Sequence, residues 1–127
     1  MQLARSFLEE HGYRDITDVS SRQPFDFQCT KEGSTVSVEV KGTLSEGERI
    51  VLTRGEVNYH RTAFPHNALI IVSGIEFHED GLAHGGRLTM VSPWSIDDTC
   101  LEPVSFFYDA AALVTYRAES ADRIFSG

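Results

Sequence analysis

The sequence predicts an α/β fold with a mixed central β-sheet flanked by helices, its elements in the order αβββαβ. Three observations carry that expectation. Two runs of alternating character, Pro24 to Thr30 and Val36 to Lys41, are joined by Lys31-Glu32-Gly33-Ser34 and read as a hairpin. Thr53-Arg54-Gly55-Glu56 has the form of a capping box and opens a helix that runs to about Phe64, where Pro65 ends it. The continuous apolar run Ala68-Leu69-Ile70-Ile71-Val72 has the length and bulk of a strand buried on both faces. A strand, a helix and a buried strand in succession form a crossover unit, so this run is expected to lie parallel to the strand holding Glu39.

In chain order, Leu3, Ala4, Phe7, Leu8 and His11 fall on one stripe of a first helix, and Gly12 supplies its stop. That helix starts so near Met1 that it reads as cut short, and the chain as a domain excised from a longer protein. Ile16 to Ser20 is a short strand, followed by a turn through Ser21-Arg22-Gln23. In the hairpin, a two-residue loop at Glu32-Gly33 and a four-residue loop from Lys31 to Ser34 give the same register, in which opposed positions sum to 65. Phe25 then faces Val40, Phe27 faces Val38 and Cys29 faces Val36 on the core side. On the other side Gln28 meets Ser37 and Asp26 meets Glu39. A polar connection, Thr43 to Arg49, leads through Ile50-Val51-Leu52 to the capped helix, whose Val57, Tyr59, Ala63 and Phe64 are packing residues. Beyond Val72, Ile75-Glu76-Phe77 and Arg87 to Val91 read as two strands around a loop rich in glycine and charge. Ser105 to Tyr108 is a further strand or edge segment, and the tail from Ala118 to Gly127 is expected to be loosely ordered.

The length of 127 residues and hydrophobic content of 41% suit a single domain, residues 1–127, with one core. The sequence has neither an apolar run of the roughly 18–20 residues that span a bilayer nor a basic segment followed by an apolar core at its start. No membrane partner is expected, and the location is expected to be cytoplasmic. Cys29 and Cys100 lack metal-type spacing and are read as reduced thiols. The net charge of −8 excludes a strongly basic, non-specific nucleic-acid binder. Part of that charge sits in His78-Glu79-Asp80-Gly81 and in Glu119 to Asp122, apart from a local basic patch of Arg49, Arg54 and Arg61.

The hairpin register brings two like charges together. Directly opposed residues have Cβ atoms about 4.5–5.5 Å apart, so Asp26 and Glu39 would repel unless a divalent cation joined them. Lys41, two residues from Glu39, lies on the same strand face and within reach of a water on that cation. Glu56 and His60 share one face of the capped helix and are supporting candidates, as is Thr53 through its cap. Arg54 and Arg61 are candidate phosphate contacts, and Gln28 would line a groove beside Asp26. His78, Asp80 and His84 read as a polar loop rather than a metal site, and Trp94 and Tyr116 as packing residues rather than platforms for bases.

With these residues in place, the chain resembles the core of the PD-(D/E)xK restriction-endonuclease-like superfamily. The resemblance rests on Pro24-Phe25-Asp26, a hairpin, and Glu39-Val40-Lys41. More narrowly, Pro-Phe-Asp-Phe, Val-Glu-Val-Lys-Gly-Thr and Leu52-Thr53-Arg54-Gly55-Glu56-Val57 look like the nuclease-like domain at the C-terminus of the NO VEIN protein, also found in many bacterial defence proteins. The likeness spans roughly residues 7–73. It implies an endonuclease that uses Mg²⁺ or Mn²⁺ to hydrolyse phosphodiester bonds, with DNA as substrate and RNA as the alternative. Asp26 and Glu39 would hold the metal, while Lys41 would orient the attacking water and stabilise developing negative charge. The superfamily commonly adds an acid from the first helix; that place falls near Met1 or Gln2, neither acidic, so Glu10, at the edge of the apolar stripe, is the candidate substitute. A module of this size would cut both strands of a duplex as a homodimer or within a larger multidomain protein. The alternative is a catalytically inactive module of the same fold that binds nucleic acid or protein.

Overall fold

A computed structural model describes residues 2–43, 49–77, 79–105 and 108–113. The middle of the segment Ser105 to Tyr108, most of the Thr43 to Arg49 connection, His78, the His84 side chain, Tyr116 and the tail from Ala118 lie outside the described residues. The chain divides into two compact units, residues 1–97 and residues 98–127. Among its described residues the second contains two short 3-10 turns, Asp98–Cys100 and Ala110–Leu113. The Leu101 amide donates to Asp98 O in the first (3.2 Å), and the Ala111 amide to Asp109 Oδ1 in the second (2.9 Å). Among the described residues no helix is long and apolar enough to cross a membrane.

The first unit is an α/β fold, an open mixed five-stranded sheet with two helices. Its elements run α1 (Gln2–Glu10), β1 (Arg14–Asp18), β2 (Phe27–Lys31), β3 (Ser34–Gly42), α2 (Arg54–Ala63), β4 (Asn67–Phe77) and β5 (Ala83–Val91). The strands lie in sequence order, β1-β2-β3-β4-β5. Three neighbouring pairs are antiparallel, and β3 with β4 is parallel, as the α2 crossover requires.

Helix α1 ends in a Schellman turn at Gly12, whose φ of +86° is open to glycine at little cost. The Tyr13 amide reaches Leu8 O (3.0 Å) and the Gly12 amide reaches Glu9 O (3.2 Å). Tyr13 and Leu8 then meet in the core with Ala4, Phe27, Cys29, Val36, Val38, Ala68 and Ile70. Fully burying one side chain such as Leu8 or Ile70 stabilises the fold by about 1.5–3 kcal/mol. Burial in the same layer pushes the Cys29 thiol up to about 11, which makes it inert.

The β2–β3 hairpin has the expected register, with Phe27 opposite Val38, Gln28 opposite Ser37 and Cys29 opposite Val36. The turn is the two-residue form: Glu32 and Gly33 both take positive φ, +51° and +83°, the geometry that matches the twist of the strands. At its far end the pairing departs from the expected one. The ladder stops at Phe27, so Phe25 and Asp26 are not rungs opposite Val40 and Glu39. The Asp26 amide instead donates to Val38 O (3.0 Å), and the Asp26 carboxylate accepts the Val40 amide (2.8 Å). A side-chain oxygen thus takes the place of the missing backbone acceptor.

Two further expectations change. Ile75-Glu76-Phe77 is no separate strand but the continuation of β4, and β5 begins at Ala83, well before Arg87. One register holds from Leu69–Val91 to Phe77–Ala83. Gly74, Gly85 and Gly86 have φ of +69°, +70° and +101°, so Gly85 and Gly86, which read as loop, join Gly74 in letting the two strands bend together. The first strand lies two residues earlier than expected, at Arg14–Asp18, and is irregular between Arg14 and Thr17.

Because side chains alternate along β3, the α1 layer takes Val36 and Val38 while α2 covers Ser37, Glu39 and Lys41. The two helices therefore lie on opposite faces of the sheet. The polar face of β3 is not open to solvent as its pattern suggests, for Glu39 is only 1% exposed.

Candidate active site

One turn of helix presents Glu56, Tyr59 and His60 on the same side of α2, and three alternate residues of β3 meet them. Ser37 Oγ and Tyr59 Oη are 2.6 Å apart, Glu39 Oε1 and His60 Nε2 are 3.1 Å apart, and Lys41 Nζ lies 2.8 and 2.9 Å from the two Glu56 oxygens. Phe25, just before Asp26, stacks on the Tyr59 ring with centroids 4.8 Å apart and closes the end of this layer.

Asp26 and Glu39 come together, although not as a ladder pair. The Asp26 carboxylate lies near enough to act on Glu39 through hydrogen bonding and charge. Burial pushes Glu39 up to about 9, and the neighbouring Asp26 reinforces the shift in both ways. At neutral pH Glu39 therefore keeps its proton. His60, equally buried, is driven the other way, down to about 4, by loss of hydration. The 3.1 Å contact between them is a hydrogen bond between neutral groups rather than an ion pair.

Lys41 and Glu56 form the charged end of the site, with side chains 20% and 17% exposed. Burial opposes ionisation of Glu56, but hydrogen bonds from Lys41 and the Thr53 amide outweigh it and hold the carboxyl below its usual value. The expected capping box is present in full: Thr53 Oγ1 accepts the Glu56 amide (3.1 Å) and Glu56 Oε1 accepts the Thr53 amide (2.8 Å). The same carboxylate thus starts α2 and steadies Lys41. Thr53→Ala should cost about 1 kcal/mol, read as an earlier midpoint in urea.

Sequence reasoning missed the residues behind His60. Asn67, the first residue of β4, is wholly buried, and its Nδ2 lies 3.1 Å from His60 Nδ1 and 3.0 Å from Trp94 O. Its Oδ1 accepts the Trp94 amide at 3.2 Å. The Trp94 ring packs on His60 with centroids 4.7 Å apart, so this buried side chain is a packing residue, as its sequence context suggests. The available signal was a polar residue directly before the apolar run from Ala68 to Val72. Among the described residues no buried side-chain nitrogen or oxygen lacks a partner.

Other candidates lie elsewhere. Gln28 shares the face of Ser37 but is exposed. Glu10 is exposed on α1, the helix across the sheet from Glu39, and is not brought to the carboxyl pair. Arg54 and Arg61 are exposed, and at about 100° per residue both are turned roughly a third of a turn or more from the middle of the side that carries Glu56 and His60. Asp80 is exposed, in the turn between β4 and β5.

The model of the family described as Protein NO VEIN, C-terminal, matches residues 1–81, which include Asp26, Glu39, Lys41, Glu56, His60 and Asn67. The chain belongs to this NO VEIN C-terminal family. No curated protein and no solved structure matches it. The family match ends before β5 and Trp94, so the backbone clamp on Asn67 comes from beyond the matched segment.

Among the described residues no group of three or more His, Cys, Asp or Glu side chains is arranged to hold a metal ion. A cage made wholly of protein ligands therefore does not fit here. The donor set does suit a hard cation of the Mg²⁺ type, which takes one or two carboxylates and fills its shell with water and phosphate oxygens. Glu39 already holds a proton beside Asp26, where a cation would bring its positive charge. Asp26 is the more exposed of the two and gives the pair its open side.

Proposed function

We propose that this chain is a nuclease domain of the PD-(D/E)xK restriction-endonuclease-like kind, using Mg²⁺ or Mn²⁺ to hydrolyse phosphodiester bonds in DNA. It would act in the cytoplasm, in a bacterial defence or restriction system. The observation that carries the reading is the meeting of Asp26, Glu39 and Lys41 at the end of the β2–β3 hairpin. Membership of the NO VEIN C-terminal family is consistent with it.

In this reading Asp26 and Glu39 hold the cation, which when bound supplies Lewis acidity and a more acidic water. Asp26 is oriented by the Val40 amide, and Glu39 by His60. Lys41 offers its ammonium to the phosphate and the attacking water, while Glu56 holds the long side chain extended and ready. The net charge of −8 leaves approach of a polyanion dependent on the cation and Lys41. Cutting both strands of a duplex calls for a second copy of the site, in a homodimer or a larger multidomain protein.

A second reading is a binding module that has kept the fold without catalysis. It is favoured by the burial of Glu39 and by the pairing of Lys41 with Glu56. Incubation with supercoiled plasmid, single-stranded DNA and RNA across Mg²⁺ and Mn²⁺ separates the two, alongside calorimetric titration of Mn²⁺. Nuclease function predicts cleavage and a binding heat that disappears in Asp26→Asn. Absence of both would leave the binding module.

A further inference from the structure

We propose that Asn67 and His60 form a positioning relay that sets the direction of every hydrogen bond reaching Glu39, and so fixes which of its carboxyl oxygens is presented to Asp26. The inference rests on the nuclease reading for its consequence in cleavage, but its geometry stands independently.

The relay starts from backbone groups that cannot change role. The Trp94 amide can only donate and the Trp94 carbonyl can only accept, and they meet Asn67 Oδ1 at 3.2 Å and Nδ2 at 3.0 Å. Turning the Asn67 amide over would set oxygen against oxygen and N–H against N–H. Its orientation is thereby fixed. Nδ2 then points its other hydrogen at His60 Nδ1, 3.1 Å away, with His60 O at 3.4 Å on the same side. His60 Nδ1 must accept, so the neutral ring carries its proton on Nε2. That N–H donates to Glu39 Oε1 at 3.1 Å. Oε1 is occupied as an acceptor, and Oε2 is the oxygen left to turn toward Asp26.

Each member is held against rotation. Asn67 and His60 are wholly buried, the His60 ring lies between Tyr59 (5.2 Å, edge-on) and Trp94 (4.7 Å), and Asn67 opens β4 beside Ser37. The relay thus couples three elements, β3, α2 and β4, to the segment after β5. His60 and Asn67 touch neither substrate nor reacting atoms in this reading; they are positioning residues that act through Glu39. Partners of this kind behind a metal-binding carboxylate typically change affinity or rate by about 10–100-fold.

The test uses the metal-free full chain first. Protein labelled with ¹⁵N-histidine should show His60 as the Nε2–H tautomer. In Asn67→Asp the side chain at 67 can no longer donate, so the His60 proton should move to Nδ1 or the ring should become doubly protonated. A parent ring protonated on Nδ1, or a tautomer that Asn67→Asp leaves unchanged, would overturn the relay. If Asn67→Asp does not fold, His60→Gln replaces it. The Gln side-chain amide can still donate to Glu39, and Mn²⁺ affinity by calorimetry should then stay nearer the parent value than in His60→Leu, which cannot donate. Equal affinity in both variants would also overturn it. Where the parent cleaves, Asn67→Asp should lower the rate about 10–100-fold with KM little changed, and an unaltered rate would refute the positioning role. A parent with the expected tautomer that never cleaves would remove the nuclease reading and leave the relay standing.

Discussion

Lys41→Ala should lower metal-dependent cleavage by at least about a hundredfold, the scale on which a positioned acid–base group contributes, while moving the melting temperature by no more than a few degrees. Lys41 lies in the part-exposed end of the site, where an ion pair is typically worth about 0–1 kcal/mol to folding. Truncating it leaves Glu56 with the Thr53 amide as a partner and with water nearby, so α2 keeps its cap. The ammonium itself is lost from beside the carboxyl pair. Cleavage of plasmid by parent and variant, with thermal unfolding of both, is the measurement. Cleavage that survives both Lys41→Ala and Asp26→Ala would place the chemistry elsewhere.

Glu39→Gln should make the protein more stable than its parent at alkaline pH. The sign follows from the two buried groups. Glu39 is raised from 4.5 to about 9, so its native-state proton is matched in the unfolded chain below 4.5 and missing there above it. Its contribution is fully present below 4.5 and is lost as pH rises through about 9. His60 is lowered from 6.5 to about 4; the unfolded chain takes up that proton first on acidification, so its contribution is present above 6.5 and fades as pH falls through about 4. The two slopes oppose each other between 4.5 and 6.5, and Glu39 acts alone from 6.5 to 9. One proton corresponds to about 1.4 kcal/mol per pH unit, so the parent should lose on the order of 3 kcal/mol across that alkaline window. Gln is shaped like the protonated acid, accepting from His60 and donating to Asp26, and it has no such slope. Urea unfolding of both proteins from pH 4 to 9 reads the difference; identical curves would show Glu39 ionised in the folded protein at neutral pH.

Local rules carried much of this far. The register from Phe27 to Cys29 against Val36 to Val38 follows from alternation and one Glu-Gly turn. The Thr53–Glu56 box depends on residues three apart, and the parallel β3–β4 pair on a crossover that has one favoured hand. Where alternation was extended past Phe27, it failed. Asp26 left the ladder because its own carboxylate bonds the Val40 amide, a competition invisible in a pattern of polar and apolar letters. Glycines at 85 and 86 read as a loop because glycine punctuates loops more often than it bends paired strands.

What the sequence by itself determined was which side chains share a strand or helix face, because that depends only on the repeat of the backbone. Asp26, Glu39, Lys41, Glu56 and His60 were all visible in that way. Tertiary structure alone decided their states: α2 and Trp94 exclude water from Glu39 and His60, and Asn67 comes to His60 through the crossover to β4. Exclusion of water is a property of everything packed around a group. For that reason the protonation of Glu39 and the direction of its hydrogen bonds could be read only from the folded chain.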